Sequence, residues 1–143
     1  MPKPDSTPDS TPDGTPNTAK AAAEFDRWAA AGRDVSMARG HRPQTEAAVA
    51  DWVLGPDAVV LDVGCGNGWA VRMLAQAGAG RGIGIDASPG MIANAKGAST
   101  DAPQLEFHVS PGDVLPISAG SVSHVLSVES LYYYPDPAAA LRE

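Results

Sequence analysis

Apolar positions follow two regimes along the chain. Up to Leu54 they recur at helical spacing. Phe25, Trp28 and Ala29 fall on one face of a helix predicted over residues 19–31, with Asn17 or Thr18 as its cap and Gly32 as its stop. A second helix is predicted over residues 44–54, where Ala48, Val49, Trp52 and Val53 form the apolar face and Gly55-Pro56-Asp57 ends it. From Ala58 onward, short apolar runs alternate with helical stretches. Strands are predicted at residues 58–63, 81–85, 105–109 and 121–128. Between the first two lies a helix over residues 69–77, with Val71, Leu74 and Ala75 facing inward, and then a glycine turn at 78–80. Ser88-Pro89 opens the next helix, because serine caps a first turn and proline suits the first helical position. Asp136-Pro137 opens the last. Strands alternating with helices give an α/β fold, a parallel sheet with right-handed crossovers and helices flanking it. Ligands of such sheets sit beyond the carboxyl ends of the strands.

Residues 4–18 stand outside this pattern. They form a degenerate four-residue repeat, Pro-Asp-Ser-Thr twice, then Pro-Asp-Gly-Thr and Pro-Asn-Thr. The repeat has no large apolar side chain to bury and a proline at every fourth position, so residues 1–18 are expected to form a disordered leader. The remaining residues, 19–143, suffice for one domain. The formal net charge is −7, and three lysines stand against seven arginines. Such a surface repels nucleic-acid phosphate and anionic membrane, and it also suits a salt-rich cytoplasm. Cys65 is the only cysteine, which excludes an internal disulfide and a cysteine-based metal cluster and makes a reducing cytoplasm the expected compartment. The sequence contains no signal-peptide core and no apolar run of the roughly 18 residues needed to span a membrane.

The candidate chemistry lies where the first strand ends. Val59-Val60-Leu61-Asp62-Val63 leads into Gly64-Cys65-Gly66-Asn67-Gly68, with a glycine at every second position. Glycine admits a left-handed backbone and lets a ligand approach the main chain. The dinucleotide fingerprint Gly-x-Gly-x-x-Gly would place its third glycine at Trp69, whose bulk argues against a pyrophosphate cradle. Strand alternation turns Asp62 to the same side as Gly64, where its carboxylate either attracts a cationic ligand or accepts hydrogen bonds from loop amides. Asp86 closes the second apolar run, 22 residues after Gly64, and can accept hydrogen bonds from both hydroxyls of a ribose. Asp113 follows the third strand and can accept from an exocyclic adenine amine, although Gly-Asp is also an ordinary turn signal. Cys65 reads as a small filler, since no base neighbours it in the sequence.

In order, Leu61 to Gly68, then Gly84-Ile85-Asp86-Ala87-Ser88-Pro89-Gly90-Met91, then Gly112-Asp113-Val114-Leu115-Pro116 resemble the motifs of the class I S-adenosylmethionine-dependent methyltransferases. Ser121-Val122-Ser123-His124-Val125 resembles the family's Ser-Phe-Asp-x-Val fourth strand and departs from it at Ser123. The resemblance covers residues 58–143 and implies a Rossmann-like sheet with S-adenosyl-L-methionine as cofactor and no metal. It implies that Gly64, Cys65, Gly66 and Gly68, with Asp62 beneath them, lie against the methionine part. Asp86 would bind ribose, Ala87 and Met91 would flank adenine, and Asp113 and Val114 would hold the adenine edge. Ser127 and Glu129 would lie near the transferred methyl, with Glu129 as the candidate base. Arg39 or His41 would either meet the cofactor carboxylate or sit in a solvated linker. Of Tyr132, Tyr133 and Tyr134, adjacent in sequence and so differently directed, some would line a substrate pocket and at least one would pack. His124, alternating with Val125 in a strand, reads as structural.

The cofactor is already activated, so the protein mainly aligns the reacting atoms and excludes water. A small-molecule acceptor is expected over a macromolecule, and no nucleic acid or membrane partner. Since the family's sheet continues through three more strands, the resemblance also implies a chain cut short, with a sheet incomplete at its C-terminal side. Strand four would then be an open apolar edge carrying Val122, Val125, Leu126 and Val128. Two alternatives remain. One is a non-catalytic cofactor-binding fragment or a half-domain completed by a partner. The other is a nicotinamide-dependent oxidoreductase, against which Trp69 and Asp113 count.

Overall fold

Four parallel strands, β1 (Val59–Val63), β2 (Arg81–Asp86), β3 (Leu105–Val109) and β4 (His124–Leu126), lie side by side in the order β3-β2-β1-β4. This computed structural model describes residues 18–143. The expected leader therefore lies outside the described residues, except that Thr18 already begins helix α1 (Thr18–Ala30). The register pairs Asp62 with Gly84 and with Leu126, and Asp86 with Val109, so every strand delivers its carboxyl end to one rim.

β1 and β2 are covered on both faces, which is why they read as continuous apolar runs. On one face Val60 packs with Leu74 and Met73 of α3 (Trp69–Gln76). Beside it, Ile92 and Ala95 of α4 (Pro89–Gly97) meet Phe107 and Cys65. On the other face Leu61, Val63, Ile83 and Ile85 pack against Tyr134, Leu131 and Ala140, the last from α5 (Pro137–Arg142). The expected caps are present: Ser88 Oγ accepts from Met91 N at 3.1 Å, and Asp136 Oδ1 accepts from Ala139 N at 2.9 Å.

Two expectations need correction. The helix expected at residues 44–54 lies earlier, as α2 (Arg33–Ala48), and contains Pro43. Gly32, left-handed at φ 70°, turns the chain directly from α1 into α2. The first turns of α2 carry no apolar stripe because its inward side is polar, with Asp34 and Thr45 as the buried residues. Beyond α2, Val49 and Trp52 still pack on the sheet, while Val53 is 88% exposed and not part of an apolar face. The fourth strand, expected over residues 121–128, has only three residues. Serine hydroxyls add to the pairing at both of its ends. Ser123 Oγ accepts from Val59 N at 2.9 Å and donates to Val59 O at 3.0 Å, and Ser127 Oγ donates to Val63 O at 3.0 Å. Ser123, the departure from the family pattern, thus anchors β4 to β1. The adjacent His124 ring lies against Trp52, with centroids 4.9 Å apart.

Candidate functional site

The chain leaves β1 through three left-handed glycines, Gly64 at φ 78°, Gly66 at φ 53° and Gly68 at φ 75°. Gly64 N and Cys65 N both donate to Ile85 O, at 2.7 and 2.9 Å, which folds the loop across the end of β2. Asp86 holds it there. Its Oδ2 accepts from Gly66 N at 2.8 Å and its Oδ1 from Ser88 N at 2.9 Å, so one carboxylate fixes both the glycine loop and the entry to α4. A Cβ at Gly66 would meet nothing within 4 Å, so bare main chain faces open space. At Gly64 a Cβ would run into Ser130. Gly64→Ala is therefore expected to destabilise the fold by about 3 kcal/mol, from left-handed backbone strain plus the clash. Gly32→Ala, which shares the strain without a neighbour, should cost roughly half of that, and chemical denaturation of both variants checks the difference.

The loop forms the floor of a cavity of about 850 Å³, part of it open to solvent. Two helices wall it with stripes at positions i, i+3, i+4 and i+7: Thr18, Ala21, Ala22 and Phe25 from α1, and Asp34, Met37, Ala38 and His41 from α2. The two helices are tied to the sheet domain by carboxylates. Asp26 Oδ1 accepts from Ser88 Oγ at 2.5 Å and from Gly90 N at 2.8 Å, and Asp34 Oδ2 accepts from Asn67 Nδ2 at 3.0 Å and Asn94 Nδ2 at 3.3 Å. The far wall is the segment after β4. There Tyr133 meets Phe25 edge to face at 5.1 Å, bridging the 3-10 turn Leu131–Tyr133 to α1.

Among the described residues the cavity lining has no lysine or arginine, but four acids: Asp34, Asp62, Asp86 and Glu129. Asp62 is only 2% exposed, and its Oδ1 has no hydrogen-bond partner. Burial, with a smaller push from Asp86, raises its carboxyl to about 7. Burial also raises Asp86, and the amides of Ser88 and Gly66 offset part of that rise. The Cys65 thiol is pushed well above its ordinary value by burial, then by Asp62 and Asp86, so it is an inert neutral filler. Burial raises Tyr134 to about 12, leaving its hydroxyl protonated.

The structure brings Asp62, Gly64, Cys65, Gly66, Asp86, Ala87, Met91 and Glu129 to this cavity. It does not bring Gly68, Asp113, Val114 or Ser127 there. Gly68 backs onto Phe107 and Ala95. Asp113 and Val114 sit at the same rim, in a turn closed by Val114 N donating to Pro111 O at 3.1 Å, with Val114 58% exposed. That turn is held off the cavity by the Tyr134 ring, which lies against Gly112. Ser127 is spent on the β1 anchor. His41 lines the cavity from a helix rather than a linker, while Arg39 is exposed and does not. Tyr133 and Tyr134 line it, and Tyr132 turns outward, its hydroxyl donating to Glu129 Oε2 at 3.2 Å. Glu129 alone among the described non-glycine residues has a positive φ, 52°. Asp34 and the α1 stripe carried no motif in the sequence, and only their helical spacing, once the helix bounds are known, would have found them. Asn67 lies inside the glycine motif, where the sequence assigned it no role.

S-adenosylmethionine fits this donor set. A cationic ligand suits the uncompensated acids, bare loop backbone admits close approach, and Asp86 stands beside Ala87 and Met91 with lone pairs left to accept hydroxyl donors. Residues 61–143, more than half of the chain, match the model of a family described as methyltransferase domain. A ubiquinone biosynthesis O-methyltransferase of Xanthomonas campestris is 34% identical over 125 residues, covering 86% of this chain and 52% of the relative. A chain in the complex between the Haloferax volcanii Trm112 methyltransferase activator and a methyltransferase is 43% identical, with TM-score 0.78 over 84% of this chain and 53% of that one. The magnesium protoporphyrin IX methyltransferase of Synechocystis, solved with bound S-adenosylmethionine, is 27% identical, with TM-score 0.58 over 72% of this chain and 52% of that one. The chain thus spans about half the length of these relatives. Its fold, its glycine loop and its matching family model agree, and the chain belongs to the class I S-adenosylmethionine-dependent methyltransferases.

Proposed function

We propose that this chain transfers a methyl group from S-adenosylmethionine to a small-molecule acceptor, with residues 19–143 acting as one domain. The observation that carries this is the joint role of Asp86, which fixes the glycine loop and the α4 entry while bordering a cavity lined, among the described residues, by four acids and no lysine or arginine. When bound, the cofactor supplies a methyl group on a sulfonium, which needs alignment more than activation. The chain's residues then divide the remaining work. The loop from Gly64 to Gly66 presents bare main chain, Asp86 takes hydroxyl hydrogen bonds, and Met91 offers a buried apolar surface. Glu129, held by Tyr132, receives the acceptor's proton. Phe25, Met37 and Tyr133 exclude water from the apolar part of the cavity. The acid-rich lining disfavours a phosphorylated or polyanionic acceptor. A cytoplasmic location belongs to this proposal, supported by the single, buried, free cysteine. Among the described residues no helix is long and apolar enough to cross a membrane.

Calorimetric titration tests the reading. Micromolar binding of S-adenosylmethionine and S-adenosylhomocysteine is expected, with none for NAD. Preference for NAD would restore the oxidoreductase alternative and remove this one. A second reading is that activity requires a protein partner. Two observations favour it: the 43% identical relative is solved with an activator protein, and β4 lies at the edge of the sheet with Val125 57% exposed. Turnover measured with and without an added activator of that type separates the two.

A further inference from the structure

Only two buried side-chain polar atoms among the described residues lack a hydrogen-bond partner, Asp34 Oδ1 and Asp62 Oδ1. Both carboxylates line the same cavity, Asp62 from β1 below the glycine loop and Asp34 from α2 above it. A buried carboxylate oxygen without a donor is costly, and two in one cavity point to a donor that the protein itself does not supply. Asp34 is 5% exposed, and its other oxygen is fixed by Asn67 of the loop and Asn94 of α4, so the side chain cannot turn to find another partner without breaking both bonds.

We propose that Asp34 is a cofactor-binding residue whose free oxygen accepts a hydrogen bond from the α-ammonium group of S-adenosylmethionine. The inference rests on the methyltransferase reading above. Of the two cationic groups of that compound, the sulfonium has no N–H or O–H to donate, whereas the ammonium has three N–H donors. The hydroxyl and adenine donors belong to the nucleoside end, beside Asp86, Ala87 and Met91, while Asp34 is bound to Asn67 on the glycine loop. Asp34 lies on α2, outside the residues 61–143 that match the family model.

The test compares ligands on Asp34→Asn. The amide oxygen can still accept from Asn67 and Asn94, but its NH₂ replaces the acceptor facing the ligand. S-adenosylmethionine and S-adenosylhomocysteine are titrated beside methylthioadenosine, which has no amino-acid group. The first two are expected to bind about tenfold more weakly than to the parent, with methylthioadenosine unchanged. Equal losses for all three ligands would mean that Asp34 only braces the loop, and unchanged affinities would mean that it holds nothing. Either result overturns the proposal. If the asparagine variant does not fold, Asp34→Ser carries the same comparison. A parent protein that binds neither adenosyl amino acid would refute the methyltransferase reading itself, and this inference with it.

Discussion

Asp86→Ala is expected to cost about 3–6 kcal/mol of folding stability and to weaken cofactor binding by a further 1–3 kcal/mol or so. The stability loss comes from two hydrogen bonds to a charged group, Gly66 N at 2.8 Å and Ser88 N at 2.9 Å, each on the scale of about 1.5–3 kcal/mol. Removing the carboxylate leaves both amides without their acceptor and releases the glycine loop from the start of α4. The binding loss has two sources, the missing hydroxyl contact and the loop's lost preorganisation. Asp86→Asn separates them. Its single carbonyl oxygen serves one amide while its NH₂ faces the other, so the loop loosens on one side only. Denaturant unfolding of the free proteins, followed by calorimetry on whichever variant folds, measures both terms. An alanine variant with the parent's unfolding midpoint and affinity would remove Asp86 from the centre of the site.

Much of this site was legible because its residues are bound to local backbone geometry. Apolar runs and glycine spacing located β1, β2 and β3, and Ser88-Pro89 and Asp136-Pro137 marked two helix starts correctly. Local signals failed where long-range contacts decide. α2 buries Asp34 and Thr45 rather than an apolar stripe, so its N-terminal part read as a linker. β4 looked longer because serines at its margins bond to β1 through side chains, which no strand pattern encodes. Asp113 and Val114 follow the expected strand at the expected rim, and the Tyr134 ring, which lines the cavity, lies against Gly112 of their turn, a contact that no local pattern encodes. The helical wall of the cavity was invisible for the same reason. Its stripes mix small, polar and large apolar residues, and their meaning depends on Asp26 and Asp34 docking α1 and α2 onto residues 60 or so positions away.

Asp62 should give the protein a stability that falls as pH rises, opposite to that of an ion-paired carboxylate. Its ordinary value is 3.8, and burial with the neighbouring Asp86 raises it to about 7 in the fold. Between those two values the folded chain holds a proton that the unfolded chain has already lost. The native state therefore binds more protons, and unfolding free energy declines through this window and levels off above pH 7 or so. The gap corresponds to about 4 kcal/mol in full. Asp62→Asn removes the titration and keeps the shape, so it should gain on the parent progressively between about pH 4 and pH 7. Asp86 is raised by burial too, and taking the difference between parent and variant at each pH isolates Asp62 from it. The same linkage gives a binding signature. A cation-bearing cofactor favours the ionised carboxylate, so its affinity should rise over that range, with protons released at the lower end, and the asparagine variant should lose this slope. Parallel stability curves for parent and variant would show that Asp62 titrates normally, and the case for an uncompensated acid beneath the glycine loop would go with them.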